Sequence, residues 1–361
     1  MTSVGTEYQA RLQGLQALLT DAQCDLCIID QPLDLLYYTG LELSAGSLLV
    51  NEKQAVLFVD GRYIQAAQEE APMEAMPDDA LVKWVSNMPS KQRCAFNPEK
   101  TSHAKFLRLS SLFDLVGAEP MYQRLRSIKD GDEQEKMRKS AQLLYRCFLE
   151  LKAFLKPGVT EKEVARRLQI LALEKGAEKM AFDPIIAFGK NSAMPHYHPR
   201  DVPLQLGDLI LIDIGVSLNH YHSDMTRVLF YPPVPQFLME VYQVVKQAHG
   251  AALKECRAGV PVAVLDEAAR QVMRTAHMEE QFLHSLGHGI GLETHEFPRL
   301  KSRGDDGKIP LESGMAVTVE PGLYFADQGG IRYEDTVLVT PTGYENLYPD
   351  MPTEELVLGG A

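Results

Sequence analysis

Five residues with metal-ligand side chains lie in five separate segments of the C-terminal part of the chain. They are Asp213 in LILIDIG, Asp224 in YHSDMTR, His288 in SLGHGIG, Glu320 in TVEPGLY and Glu334 in IRYEDTV. Each stands in or beside a run of apolar or β-branched residues, where an isolated charge costs several kcal/mol or more. Asp213 is the clearest, because Leu209-Ile210-Leu211-Ile212-Asp213-Ile214 otherwise reads as a fully buried strand. A carboxylate in that setting needs a cation. Four carboxylates with one imidazole balance two divalent ions, and an oxygen-dominated set favours manganese, cobalt or iron over a thiolate-loving metal.

The spacing gives a geometric expectation. Asp213 and Asp224 are symmetric about Leu218-Asn219, within the turn-like stretch Ser217-Leu218-Asn219-His220. An antiparallel hairpin folded there places the two aspartates opposite one another, Cβ atoms roughly 5 Å apart. Either one of them is then protonated or metal lies between them.

The elements that must carry these residues follow from periodicity. Leu155-Lys156-Pro157-Gly158-Val159-Thr160 ends one long helical pattern and starts another, with Thr160 and Glu163 as a capping box. Cys256-Arg257-Ala258-Gly259-Val260-Pro261 repeats that role further on, and each copy leads through a helix to a histidine-bearing segment. Two similar α/β halves then meet at a cleft, Asp213 and Asp224 from the first, His288, Glu320 and Glu334 from the second. Upstream, Glu7 to Ala22 reads as an amphipathic helix leading to a strand at Leu26 to Ile29. Strands at Ser47–Val50 and Ala55–Val59 flank a turn at Asn51-Glu52-Lys53, a helix opens at Asp60-Gly61-Arg62-Tyr63, and a strand and helix follow over 94–112. The polar stretch from Gln123 to Glu135 marks the boundary, giving domains over 1–125 and 126–361.

Composition narrows the function. A chain of 361 residues is long for one average domain and suits two. The net charge of −13 argues against nucleic acid or an anionic membrane as partner. No apolar stretch of membrane-spanning length and no signal-peptide pattern is present, so a cytoplasmic protein is expected. The five cysteines lack framework spacing, and Cys24-Asp25-Leu26-Cys27, which enters an apolar strand, reads as structural. Trp84 suits either the core or an interface.

The motifs MPHY (194–197), LIDIGVSLNHYHSDMTR (211–227), HSLGHGIGLETHEFP (284–298), VTVEPGLY (317–324) and GIRYEDTVLVT (330–340) together resemble the metallopeptidases of pita-bread, or creatinase-like, fold. The resemblance covers roughly 130–361, with a weaker likeness of 1–125 to the creatinase-type N-terminal domain. It implies an α/β (α+β) chain: a small N-terminal domain, then a catalytic domain with internal pseudo-two-fold symmetry. It also implies two divalent ions, manganese first, with cobalt, iron or zinc as alternatives. Asp224 and Glu334 would bridge them, Asp213 would complete one site, and His288 with Glu320 the other. Such a pair lowers the pKa of a shared water, giving a hydroxide that attacks the peptide carbonyl. Glu320 would act as general base and then acid.

By the same resemblance His196 and His295 bind or polarise the substrate amide, and His284 lines the side of a leaving proline. Arg332 lies near the product carboxylate, or else supports Glu334 by a salt bridge. His198, His220 and His222 read as polar-loop residues rather than ligands. Peptides with proline at the second position are the expected substrates. MPHY favours Xaa-Pro aminopeptidases, whereas LGHGIGLETHEFP is close to Xaa-Pro dipeptidases and to methionine aminopeptidases. The expectation is an Xaa-Pro aminopeptidase, with the dipeptidase as alternative, ahead of a methionine aminopeptidase or a non-catalytic binding protein. The family resemblance also implies a homo-oligomer, a dimer or higher.

Overall fold

The computed structural model describes residues 4–349 and 356–358. The chain divides into two compact units, Met1–Arg126 and Ser127–Ala361. The first is built on a six-stranded sheet in the order Glu74–Pro77, Ala55–Val59, Ser47–Asn51, Leu26–Ile29, Arg93–Phe96, Asp114–Gly117. Leu26–Ile29 is a run of four buried residues that pairs antiparallel with Ser47–Asn51 and parallel with Arg93–Phe96. Strands apolar on both faces are what a sheet covered by helices requires. The expected first helix runs Val4–Asp21, and the helix expected from Asp60 begins at Ile64. Trp84 packs edge-on against Phe58, ring centroids 5.6 Å apart, on the core side of this unit. Cys24 and Cys27 are buried free thiols whose ionisation burial opposes.

The second unit shows its internal repeat in backbone detail. Gly158 and Gly259 both take the left-handed region, with φ of 89° and 85°. Their amides donate to Leu204 O at 2.9 Å and Leu311 O at 2.8 Å. Thr160 bridges Pro203 as Pro261 bridges Pro310. Helices then start at Glu161 and Val262, each preceded by a longer helix, Gly131–Lys152 and Gln236–Glu255. The capping box forms in the first copy alone: Thr160 Oγ1 accepts from Glu163 N, while Pro261 caps nothing with its side chain. After these helices come the strands that carry the site, in sheets ordered Met225–Phe230, Leu209–Ile214, Ile185–Phe188 and Glu296–Leu300, Gly287–Gly289, Ala316–Val319, Asp335–Val339, Tyr344–Asn346. Among the described residues no helix is long and apolar enough to cross a membrane.

Candidate metal centre

Leu209–Ile214 is buried at every position and pairs antiparallel with Met225–Phe230. The register corrects the expected hairpin: Asp213 lies opposite Thr226, and Leu218 opposite Tyr221, so the turn is Asn219-His220 rather than Leu218-Asn219. Both turn residues have positive φ, 50° and 67°, as a two-residue hairpin of the primed type demands. Asp213 and Asp224 are therefore diagonal neighbours on one face instead of directly opposed. The second half supplies its candidate ligands from short strands and the positions beside them. His288 is the centre of Gly287–Gly289, Glu320 follows Ala316–Val319, and Glu334 lies between Gly329–Arg332 and Asp335–Val339, bridging Thr226. A Cβ at Gly287 would stand 2.1 Å from Thr318 O and one at Gly289 2.2 Å from Phe297 O, so neighbouring backbones close directly around His288.

Asp224, His288 and Glu334 are buried, with one ligand atom of each lying within 4.8 Å of the others. Glu320 Oε1 is 3.6 Å and Asp224 Oδ2 3.8 Å from His288 Nε2. His288 Nδ1 donates to its neighbour's carbonyl, Gly289 O, at 3.0 Å, which leaves the Nε2 lone pair turned to the carboxylates. Asp213 Oδ1 and Asp224 Oδ1 are buried, and no donor among the described residues reaches them. Burial, with Glu334 as the next cause, pushes the carboxyls of Asp224 and Glu320 well above the usual range. Burial and then Asp213 push Glu334 up to about 8. Burial and then His295 push His288 down to about 3. Carboxylates that repel one another around a neutral imidazole, with orphaned oxygens among them, are the donor set that divalent cations satisfy. These residues fit a metal centre.

Asp213 also has a partner within the protein. Its Oδ2 accepts from Arg332 Nη2 at 2.5 Å. Arg332 is buried and donates also from Nε to Thr226 Oγ1 (3.1 Å) and from Nη1 to Tyr324 OH (2.7 Å) and Pro195 O (3.5 Å). With four acceptors inside the protein it does not stand open to a product carboxylate. Nor does it pair with Glu334 directly: Thr226 intervenes, its hydroxyl donating to Glu334 Oε2 at 2.7 Å. The chain runs on through Tyr324, whose hydroxyl gives its proton to His284 Nε2 (2.9 Å), because His284 Nδ1 must donate to Ser285 O (2.8 Å). Burial, with Arg332 next, pushes His284 down to about 4 and keeps it neutral.

His295 is exposed, its ring centroid 4.2 Å from that of His288. His196 is exposed in the segment after Gly189–Ala193, and burial, followed by the proximity of His196, pushes His295 down. His198 is exposed on the same segment, and His220 occupies the hairpin turn. His222 departs from the polar-loop expectation. It is buried in Tyr221–His222, and its Nδ1 pairs with Thr294 Oγ1 at 3.0 Å, tying the hairpin to the loop that carries His295.

Burial, and then Lys179, pushes His222 down to about 4, against 6.5 for a free imidazole. The unfolded chain therefore takes up this proton first. Stability from this group is complete above about pH 6.5 and declines as the pH falls towards 4, by up to roughly 3 kcal/mol. Urea melts of chelated protein at pH 7.5 and 4.5 should show that loss reduced in His222→Gln. An equal loss in both proteins would contradict it.

Several residues that support the site carry no family role in the sequence reading. Arg227 is fully buried, pairs with Asp335 at 2.6 Å, and donates to the carbonyls of Glu334 (2.6 Å) and Thr226 (3.0 Å). Asp335 also accepts from Asn346 Nδ2 at 2.8 Å. The signal that singled out Asp213, a charge in a β-branched run, applies equally to Arg227 in MTRVLF and Asp335 in EDTVLV. Arg299 lies directly opposite His288 in the sheet and so shares its face; it is exposed and meets no carboxylate among the described residues.

Comparison with known proteins agrees with this geometry. Residues 135–341 match the model of metallopeptidase family M24, and residues 11–128 match the creatinase/prolidase N-terminal domain. An Xaa-Pro dipeptidase of Pyrococcus furiosus is 31% identical over 340 residues, covering 93% of this chain and 97% of its own length. Among solved structures, an Xaa-Pro dipeptidase from Bacillus anthracis superposes with a TM-score of 0.92 at 29% identity, covering 97% of this chain and all of that one. An X-Pro aminopeptidase from Thermotoga maritima superposes with a TM-score of 0.85 at 34% identity, over 93% of this chain and 98% of its own. The chain belongs to metallopeptidase family M24: a creatinase-type N-terminal α/β domain followed by a pita-bread hydrolase domain.

Proposed function

We propose that this protein is a two-metal exopeptidase that cleaves Xaa-Pro bonds and acts as a dipeptidase. The buried cluster of Asp224, His288 and Glu334, flanked by Asp213 and Glu320, carries the reading. These five residues would hold the ions, which when bound polarise the scissile carbonyl and acidify the attacking water. The rest falls to the protein. Glu320, a half-buried carboxyl with raised proton affinity, takes the proton of the attacking water and passes it to the leaving nitrogen. His295, beside His288, and His196, reaching in from its own segment, donate hydrogen bonds to the substrate amide. Arg332 fixes the orientation of the Asp213 carboxyl and, through Thr226, that of Glu334.

The preference for a dipeptide rests on Arg299 and on the named relatives. An exposed guanidinium on the face of His288, without an internal carboxylate, suits the free carboxyl of a C-terminal proline, which a longer peptide lacks. The prolidases of P. furiosus and B. anthracis support the same preference over the aminopeptidase expected from MPHY. The likeness to the T. maritima aminopeptidase keeps the longer substrate as a second reading. Kinetics on Ala-Pro and Ala-Pro-Ala after metal reconstitution decide between them. Ala-Pro should be cut at least about tenfold more efficiently, a difference of about 1.4 kcal/mol in the barrier. Arg299→Ala should raise KM for Ala-Pro while leaving Ala-Pro-Ala unchanged. Equal or better cleavage of the tripeptide would restore the aminopeptidase reading.

A further inference from the structure

Position 161 is where the two halves of the catalytic domain part company. The backbone repeat places Glu161 in register with Val262: each begins its helix, and their amides donate to Val202 O and Ile309 O. A buried valine suffices in the second half. In the first half the same place holds a carboxylate with no exposed surface. Its Oε1 accepts from Phe188 N and Asn191 Nδ2, both at 2.9 Å, and its Oε2 from Tyr197 OH at 2.7 Å and Arg200 N at 3.0 Å. The four donors come from one stretch, residues 188–200. They include the amides at its two ends and the side chain next to His196. The middle of that stretch is fixed separately: Ser192 Oγ accepts from Gly330 N at 2.8 Å, and Pro195 O accepts from Arg332.

The fold alone does not call for such a group, since burying a carboxylate is costly and the pseudo-equivalent helix begins without one. What Glu161 adds is a four-point clamp on the loop that carries His196. We propose that Glu161 is a positioning residue for His196, closing the 188–200 segment so that the exposed imidazole meets the substrate at a fixed place. This rests on the reading of His196 as a substrate contact. An acceptor-only side chain is required. In Glu161→Gln the amide nitrogen must face either the Phe188 or the Arg200 N–H, and neither backbone donor can reverse.

The test combines Glu161→Gln with His196→Ala on the metal-loaded full chain, using Ala-Pro as substrate. Glu161→Gln should lower kcat/KM about tenfold or more, mainly through KM, with metal content unchanged and amide exchange accelerated in 188–200. Added to His196→Ala, it should cost nothing further. Equal losses in both backgrounds, or faster exchange confined to Glu161–Glu174, would make Glu161 structural and overturn the proposal. Tyr197→Phe removes one of the four bonds and leaves the buried carboxylate in place. It should show the same pattern with a roughly threefold effect, so a misfolded Glu161→Gln leaves the question decidable. Unchanged exchange in 188–200 for Tyr197→Phe would then count against the clamp. If His196→Ala alone left kcat/KM intact, the substrate role of His196 would fall, whereas exchange in 188–200 would still decide whether the clamp exists.

Discussion

Replacing Glu334 with glutamine should strip the protein of metal and of turnover together. The substitution removes one negative charge from a set whose Asp224, His288 and Glu334 ligand atoms lie within 4.8 Å of one another. Thr226 can still donate to the remaining oxygen, and Arg227 still holds the Glu334 carbonyl, so the backbone should stay in place. The loss is then electrostatic and local. Elemental analysis should give close to two ions per chain for the native protein and at most one for the variant. Activity should fall by well over the roughly hundredfold that loss of an outer partner costs a metal site. Exhaustive chelation of the native protein should do the same, reversibly on return of manganese. Full activity in metal-free protein, or a Glu334→Gln variant that keeps two ions and its kcat, would remove the basis of the mechanism.

Glu320→Gln separates two tasks assigned to one side chain. An amide still offers an oxygen to a cation but cannot take up a proton. Desolvation of the half-buried Glu320, and then the charge of Glu334, raise its proton affinity, so its carboxyl is suited to hold the proton between the two half-reactions. We expect Glu320→Gln to retain more metal than Asp224→Asn and yet lose kcat by about 10²- to 10⁴-fold, the usual range for a general acid–base. KM should move little by comparison. Equal metal loss in the two variants would leave Glu320 a ligand and nothing more.

The candidate metal cluster was legible because a strand apolar on both faces cannot carry Asp213 without compensation, and the same holds near Asp224, His288, Glu320 and Glu334. The pairing of Asp213 was not. A turn centred one residue earlier satisfies the same apolar pattern over Leu209–Ile214, and only the positive φ at Asn219 and His220 shifts the register to set Thr226 opposite Asp213. Neither residue is glycine, so the turn carries a weak signature. The partners of Arg332 were hidden for another reason. Asp213 and Thr226 lie more than a hundred positions from it and meet it only when the two halves close. The internal repeat, faint in LKPGVT and CRAGVP, proved legible in its glycines, whereas the functional difference between Glu161 and Val262 needed the loop contacts to be visible.

The two nitrogens of His284 have a consequence for selectivity. One donates to Ser285 O and the other accepts from Tyr324, so a substrate lying against this ring meets carbon and no hydrogen-bonding group. A surface of that kind measures thickness and curvature. Discrimination by fit alone is gradual, about 10- to 200-fold for each methylene added or removed. A leaving residue placed there would therefore be sorted along a continuous scale of ring size, the four-, five- and six-membered imino acids differing in degree. The sharp rejection expected of a site that counts donors and acceptors would be missing.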